Sequence, residues 1–337
     1  MADAVRVALC LCCNDVSKED DKDPFDRDRM ETGGLRMART EDIDFSCKHH
    51  ILIRSADGSL QPMDEPYYEV EVIAPGTWKI LSSGDYCYLV EGDEEAIAID
   101  GGYGAGNIRA FMQTLTDKPV RSIINTHDHF DHTANNGYFE KAYMSAETAP
   151  LATRPFPSFA GIDFPTDYEK VIVDDGDVLD LGGRTLEFFK IPDHAVGSIV
   201  MLDRKERLLF SGDEFFDMPL GKTLRVSVRT FVNNLEKLMA HRQEFDRLAA
   251  GGGVLSASLL DGYYSCAQYI LEGHEGSADL GTGGPPPQPV DPEGRIIYDR
   301  RIPHPEDLRR DEPNPNQRRM DYAGVKIVYD VTKVNQA

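Results

Sequence analysis

The stretch Thr126-His127-Asp128-His129-Phe130-Asp131-His132 brings three histidines together within six residues. It follows an apolar run, residues 120–125, that is typical of a buried strand ending in a polar turn. The histidines are therefore predicted to lie where a strand meets a loop, a position that often carries metal ligands on a rigid scaffold. Neutral imidazole and carboxylate groups suit Zn²⁺ and other borderline divalent ions. Three of the nine histidines of the chain fall in this one window, which favours a metal site over a polar loop with incidental histidines.

Length and charge limit the classes of protein to consider. The chain has 337 residues, enough for one large domain or for one domain with sizeable extensions. Its formal net charge of −22 argues against nucleic acid and anionic membranes as partners, because such a surface repels phosphate groups. We find no stretch with the roughly 18 apolar residues that a membrane-spanning helix needs. The six cysteines show no disulfide spacing, which indicates a reduced, cytoplasmic protein. Cys10, Cys12 and Cys13 are expected to lie in a disordered terminus, with a metal-binding or lipid-modified cluster as the alternative.

The order of the predicted elements indicates a layered α/β fold with sheets inside. Antiparallel strands are expected over the first hundred residues, followed by a helix over residues 107–115 and by the strand before the histidines. Further strands follow, and two helices are predicted over residues 230–248 and 259–271. A strand near residues 51–60 and another at residues 325–329 are expected to pair as an accessory layer.

Two parts of the chain beyond the motif extend the predicted metal site. His194 lies in a loop between two predicted strands and is the natural third nitrogen ligand, which would leave one coordination position open. Asp213 ends a buried strand at residues 208–213, and a carboxylate at such a tip is either exposed or a metal ligand. The presence of Asp131 and His132 favours the second interpretation.

These residues resemble the metallo-β-lactamase-fold hydrolase superfamily, whose pattern is His-x-His-x-Asp-His, a histidine before Gly-Ser, and an aspartate at a strand end. The matching residues are His127, His129, Asp131, His132, His194 with Gly197-Ser198, and Asp213. Asp100-Gly101-Gly102 looks like the strand-ending Asp-x-Gly element of the family. The resemblance covers roughly residues 73–273 and implies a four-layer αββα sandwich, with N- and C-terminal extensions in this chain.

The resemblance also implies a set of metal ligands. A first ion would be held by His127, His129 and His194. A second would be held by Asp131 and His132, with Asp213 bridging the two ions. Zinc is the expected metal, and iron or manganese is the alternative.

The chain is accordingly divided into three parts. Residues 1–66 are expected to form an N-terminal extension that is partly disordered and contains a hairpin. Residues 67–276 form the metallo-β-lactamase-like domain, and residues 277–337 a Pro- and Gly-rich linker followed by a tail with one added strand. The two extensions could mediate a homo-oligomer.

One element departs from the family pattern. Such hydrolases usually supply a last histidine in a Gly-His-Gly-like loop after the long helix, but the matching region, residues 248–254, contains no histidine. His241 and His274 do not match the pattern and are expected to be a solvated helix residue and a loop residue. The second metal site is therefore predicted to lack one ligand.

The predicted sites permit metal-assisted hydrolysis of a small ester, lactone, thioester or amide. A metal lowers the pKa of bound water from about 15.7 to about 7, which provides a metal-bound hydroxide at neutral pH, and it polarises the scissile carbonyl. Asp131 is placed to orient the water and to carry a proton to the leaving group. Without a second metal, His132 could hydrogen-bond Asp131 or the intermediate. Tyr103 is expected to be an ordinary loop residue, with donation to the oxyanion as the alternative.

Two other interpretations stay open at this point. A single iron ion on the same fold would make the chain an oxidoreductase that activates dioxygen. A degraded site would make it a non-catalytic or sensor protein, although the intact set of His127, His129 and His194 argues against full degeneration. Metal analysis separates these alternatives, because zinc supports hydrolysis whereas iron with oxygen uptake supports oxidation.

Overall fold

The computed structural model describes residues 38–55, 57–216, 220–281, 289–299 and 314–336. The N-terminal cysteine cluster and all but the first residue of the predicted linker at 281–287 lie outside these residues. The described strands are β1 (Leu52–Arg54), β2 (Leu60–Pro62), β3 (Glu69–Ala74), β4 (Thr77–Leu81), β5 (Tyr86–Glu91), β6 (Ala96–Ile99), β7 (Val120–Ile124), β8 (Lys141–Met144), β9 (Glu169–Ile172), β10 (Val178–Asp180), β11 (Thr185–Lys190), β12 (Ile199–Asp203), β13 (Leu208–Gly212), β14 (Lys222–Thr223), β15 (Arg247–Ala250), β16 (Gly253–Ser256), β17 (Ile297–Asp299), β18 (Gln317–Tyr322) and β19 (Val325–Asp330). The described α-helices are α1 (Ile108–Gln113), α2 (Phe130–Thr133), α3 (Val228–Met239) and α4 (Ser258–Leu271).

Two mixed sheets pack face to face and carry helices on their outer sides, which confirms the four-layer αββα architecture. The first sheet has the spatial order β3-β4-β5-β6-β7-β8-β9, and the second has the order β10-β11-β12-β13-β15-β16. In the first sheet, β3 to β6 are antiparallel neighbours and β6 to β9 run parallel. Apolar residues of α1 pack on the outer side of this sheet, and those of α3 and α4 cover the second sheet.

The side chains of β6 show how the sequence builds these layers. Ile97 and Ile99 point towards the second sheet, where they join the apolar cluster that contains Phe188. Ala96 and Ala98 point the opposite way and pack in the cluster that contains the residues of α1. Because successive side chains of a strand point to opposite faces, both faces of β6 are covered, and the strand is apolar without alternation.

The crossover between β6 and β7 positions the histidine motif. The two strands are parallel neighbours, so their carboxyl ends meet at one edge of the sheet, and the motif follows β7 at that edge. The connecting helix α1 confirms the helix predicted over residues 107–115. Its N-cap is Asn107, whose side-chain oxygen accepts a hydrogen bond from the amide of Ala110 at 3.0 Å.

The predicted helix over residues 230–248 is too long. α3 ends at Met239, and after a short 3₁₀ turn the chain enters β15, which pairs in parallel with β13 in the second sheet. Leucine and alanine in β15 have high helix propensity, but the pairing with β13 and the burial of Leu248 override it. The helix predicted over residues 259–271 is confirmed as α4.

The accessory layer predicted from both ends of the chain is wrong, although the strands themselves form. β1 pairs with β2 and β17, whereas β19 pairs with β18 and β14 in a separate three-stranded sheet. Apolar residues of β18 and β19, including Met320 and Ile327, pack in the same cluster as those of α4. Among the residues that the structure describes, no helix combines the length and apolar character needed to cross a membrane.

A buried ion pair joins the two sheets at the edge opposite the histidine motif. Arg184 precedes β11 and donates to the Asp203 carboxylate from Nε at 3.0 Å, and the two residues are 2% and 0% exposed. Its other nitrogens donate to the carbonyl of Gly76 at 2.8 Å, to that of Glu91 at 3.1 Å and to Thr77 Oγ1 at 2.6 Å. One guanidinium therefore satisfies acceptors from both sheets.

Replacing Arg184 should destabilise the fold strongly. The substitution Arg184→Met leaves the Asp203 carboxylate buried without its partner, which is expected to lower the free energy of unfolding by about 3–5 kcal/mol. Urea denaturation measures the change. The matched control is Arg207→Met, which removes a surface pair with Asp246 and should change stability little. Equal effects of the two variants would contradict the role assigned to Arg184.

Candidate metal centre

α2 places the second half of the histidine motif. Its first residue, Phe130, is buried and packs edge-on against the rings of Phe156, Phe159 and Phe164, with centroids 4.8 to 5.3 Å apart. His129 is the N-cap residue and has extended backbone geometry, so the chain turns sharply between the strand end and the helix. This anchoring fixes which motif residues face the edge of the sheet.

The first group of potential ligands consists of His127, His129 and His194. One ring nitrogen from each lies within 4.8 Å of the others, and His194 Nε2 is 2.9 Å from His129 Nδ1. Burial, together with the neighbouring His129, lowers the pKa of His194 well below its ordinary value. His194 is therefore neutral at physiological pH, which is the form that binds metals.

A buried ionic cluster holds the loop that carries His194. The His194 amide donates to Glu214 Oε1 at 2.9 Å, and Lys222 Nζ lies 3.2 Å from Glu214 Oε2 and 2.6 Å from Asp193 Oδ2. Asp193 also accepts from the backbone amide of Arg225 at 2.8 Å. Because Lys222 belongs to β14, this cluster connects the His194 loop to the C-terminal sheet.

The second group consists of His132 and three aspartates. His132 Nε2 lies 3.4 Å from Asp213 Oδ1, 3.4 Å from Asp85 Oδ2 and 3.9 Å from Asp131 Oδ2. Asp213 also reaches the first group, because its Oδ2 is 3.7 Å from His194 Nε2. The structure thus brings all six predicted ligands together and adds Asp85, which the sequence analysis missed. The sequence gives only an indirect signal for Asp85: residues 248–254 contain no histidine, so the second group lacks one donor of the family pattern.

Asp100 orients residues of both groups, because it contacts His132 directly and His127 through Thr126. It is 2% exposed, and it lies at the end of β6 with a positive φ of 58°. Its carboxylate accepts from the amide and hydroxyl of Thr126, both at 2.8 Å, and lies 2.9 Å from His132 Nδ1. The Thr126 hydroxyl is in turn 3.1 Å from His127 Nδ1. Asp100 therefore directs Nε2 of His132 towards the three aspartates.

The charges of the second group shift each other's pKa. Burial opposes the charged form of His132, but the surrounding carboxylates, chiefly that of Asp213, raise its pKa well above the ordinary value. Burial raises the pKa of Asp131 well above its ordinary value. Burial and then the charge of Asp85 raise the pKa of Asp213 to about 6. Without a cation, the group therefore retains protons near neutral pH.

A cleft of about 370 Å³ opens beside the first group. Its walls include the rings of His129 and His194, apolar side chains of Leu151, Val196 and Val226, and the cationic side chain of Arg225. The cleft gives a small molecule access to His129 and His194, two of the three histidines of the first group.

The other residues that the sequence analysis considered belong to neither group. His241 follows α3 rather than lying within it, because the helix ends early, and its ring contacts Phe189 and Glu244. His274 stacks on Tyr269 at 3.7 Å between ring centroids. Tyr103 is buried and packs against Phe159, as expected for a structural tyrosine.

The comparisons with known proteins agree with this arrangement. The family model described as "Metallo-beta-lactamase superfamily" matches residues 84–251, a range that contains every residue of both groups. The chain belongs to the metallo-β-lactamase superfamily.

Among the relatives are two proteins named "Acyl-coenzyme A thioesterase MBLAC2". The one from Bos taurus is 28% identical over 45% of this chain and 66% of its own length, and the one from Gallus gallus is 30% identical over 45% and 65%. A "Hydroxyacylglutathione hydrolase" from Pelagibacter ubique is 26% identical over 46% of the chain and 62% of its own length. The chain thus spans somewhat less than two thirds of these curated relatives. A solved "Metallo-beta-lactamase from Pontibacter korlensis" aligns over 60% of this chain and 99% of its own, with 19% identity and a TM-score of 0.45.

The position of Asp100 predicts a measurable effect on metal binding. The substitution Asp100→Asn keeps the shape of the side chain but weakens the bonds that orient His132 and Thr126, and loss of such an outer partner typically lowers metal affinity about 10–100-fold. Titration calorimetry with Zn²⁺ measures the change. Asp93→Asn, an exposed aspartate in the turn before β6, is the control and should bind as the unmodified protein does. Unchanged affinity in Asp100→Asn would show that Asp100 does not orient the ligands.

Proposed function

We propose that this chain is a metal-dependent hydrolase that cleaves small thioesters. The observation that carries the proposal is the convergence of His127, His129 and His194, of which His129 and His194 line an accessible cleft. Three imidazoles with one open position are the donor set of catalytic zinc sites. The narrower choice of thioesters among the possible acyl substrates is supported by the relatives named as an acyl-coenzyme A thioesterase and a hydroxyacylglutathione hydrolase.

The residues present fit a bound divalent ion. His132 Nε2, Asp131 Oδ1 and Asp213 Oδ1 are buried atoms without a hydrogen-bond partner among the described residues. Buried polar atoms of this kind are costly unless something else satisfies them, and a cation would do so for all three. We propose that His127, His129 and His194 hold a zinc ion, and that Asp131, His132 and Asp213 serve a second ion. A bound ion would supply Lewis acidity and lower the pKa of water to near neutrality.

Asp131 is the proposed proton carrier of the reaction. Its carboxylate oxygen Oδ2 lies 3.9 Å from His132 Nε2, at the edge of the histidine group, where it can orient a water molecule and pass a proton to the leaving group. His132 lies beside it and stabilises its charged form. A leaving thiolate has an ordinary pKa of about 8.5, so it departs with less help from an acid than an amine does. A site with a single proton carrier therefore suits a thioester better than an amide, whose leaving amine needs protonation.

The cleft beside the histidines fits the other parts of such a substrate. Leu151, Val196 and Val226 offer apolar contacts to an acyl group. Arg225 brings a guanidinium to the same cleft, where it can pair with a carboxylate or phosphate on the thiol carrier. This placement makes an uncharged, wholly apolar thioester a poorer substrate than an anionic one.

A substrate panel and one histidine variant test the proposal. With the acyl group held constant, hydrolysis is expected to be fastest for the anionic thioester, slower for the oxygen ester and slowest for the amide. The carboxylic acid that all three substrates release is measured by chromatography. His129→Ala removes one ligand and should lower turnover at least about 100-fold together with the zinc content.

His274→Ala is the matched control, because this histidine stacks on Tyr269 and belongs to neither group. It should keep the metal content and the turnover of the unmodified chain. An active, zinc-loaded His129→Ala variant would contradict the site assignment. Purification with iron and uptake of oxygen in the presence of substrate would instead support the oxidoreductase alternative.

A further inference from the structure

Asp85 lies at a distance from His132 that suits two ligands of one ion. Two donor atoms that each lie about 2.0–2.1 Å from one ion are roughly 2.8–3.4 Å apart, the shorter value in octahedral and the longer in tetrahedral geometry. His132 Nε2 is 3.4 Å from Asp85 Oδ2 and 3.4 Å from Asp213 Oδ1. His132 is fully buried, and this nitrogen has no hydrogen-bond partner among the described residues. A buried nitrogen therefore points at carboxylate oxygens at the separation of shared ligands.

When the carboxyl groups are ionised, the same geometry is unfavourable unless a cation is present. The carboxyl groups of Asp85 and Asp131 contact each other, and a carboxylate oxygen of Asp213 lies within 4.8 Å of both. Carboxylates this close repel each other strongly when all are ionised. A single divalent ion among them would offset that repulsion.

Gly251 shows why this chain has room for Asp85. It lies in the loop where the family pattern places its last histidine, and its amide donates to Gly212 at 2.9 Å. A Cβ at this position would stand 2.1 Å from Asp213 Oδ1 and 3.4 Å from the Cβ of Asp85. A side chain at position 251 would therefore enter the space that the two carboxylates occupy. The loop that lacks the last histidine of the family pattern is therefore the loop beside which Asp85 lies.

The turn before β5 holds Asp85 in position. Ser83 and Gly84 both have positive φ, at 45° and 120°, and Tyr103 packs so closely that a Cβ on Gly84 would lie 2.6 Å from its ring. The next amide, that of Tyr86, donates to the carbonyl of Gly251 at 2.8 Å. This backbone bond ties the Asp85 turn to the loop that lacks the histidine.

We propose that Asp85 is a ligand of the second metal ion and takes the place of the absent last histidine. The inference rests on the proposed metal-dependent function and deepens it. It makes the centre asymmetric, with three imidazoles at the first site and one imidazole with three carboxylates, Asp85, Asp131 and Asp213, at the second. Oxygen-rich sites suit harder ions than imidazole sites do. The second site is accordingly one for an ion of the Mn²⁺ class, while the first takes Zn²⁺.

The test measures metal binding and does not depend on turnover. The full chain is loaded with one equivalent of Zn²⁺ and then titrated with Mn²⁺, with elemental analysis and the Mn²⁺ electron paramagnetic resonance signal as readouts. Asp85→Asn preserves the shape of the side chain and should weaken the Mn²⁺ equivalent at least about tenfold, leaving the Zn²⁺ equivalent in place. Asp85→His should raise the preference of the second site for Zn²⁺ over Mn²⁺.

Asp128→Asn is the matched control, because it removes the same charge from the histidine motif, and Asp128 belongs to neither ligand group. Equal weakening in Asp128→Asn and Asp85→Asn would reduce the effect to general charge and overturn the assignment. So would a second equivalent bound with unchanged affinity in Asp85→Asn. If the unmodified chain binds Zn²⁺ but no second ion, this inference fails while the three-histidine site and the proposed hydrolysis stand. If it binds no metal, both fail.

Discussion

The Asp100 carboxylate is buried at the carboxyl end of β6, and the geometry of the whole centre depends on how it is satisfied. Its partners all come from the histidine motif: two donors from Thr126 and the Nδ1 atom of His132. Because β6 and β7 are parallel neighbours, this bond network forms only if the motif leaves the strand at one particular residue. The αββα sandwich brings the ends of β13 and β15 to the same edge, where Asp213 and Gly251 meet the motif. Fold and site are therefore fixed by the same buried contacts.

At the opposite edge of the sandwich, the buried negative charge is balanced by a side chain of the protein. There, Arg184 satisfies Asp203 and several carbonyls with one fixed cation supplied by the chain itself. At the histidine edge the carboxylates outnumber the cationic groups, and His132 alone stands among three aspartates. At one edge the buried carboxylate is neutralised by an arginine of the chain. At the other edge, under the proposed function, the carboxylates are neutralised by a bound metal ion. This difference agrees with a structural role for the first edge and a chemical role for the second.

Much of this arrangement could be predicted because the decisive residues are local in sequence. The motif itself places His127, His129, Asp131 and His132, and strand ends place His194 and Asp213. Asp85 could not be predicted in this way, because no spacing relates it to the motif and its position depends on the turn at Ser83 and Gly84. β15 was missed for a similar reason, since its sequence favours a helix and only its pairing with β13 makes it a strand. The division into three domains, the cytoplasmic location and the homo-oligomer stay predictions.

The pairing of β14 with β19 makes the His194 loop depend on a distant part of the chain. Lys222 joins the cluster behind His194 while its strand is held by Ile327 and Val328, which are synthesised long after the histidine motif. A nascent chain that has just exposed its four motif and loop histidines to the cell still lacks the strand that steadies one of them. In a chain that is still being synthesised, the His194 loop therefore lacks the contact through Lys222 that holds it in the folded protein.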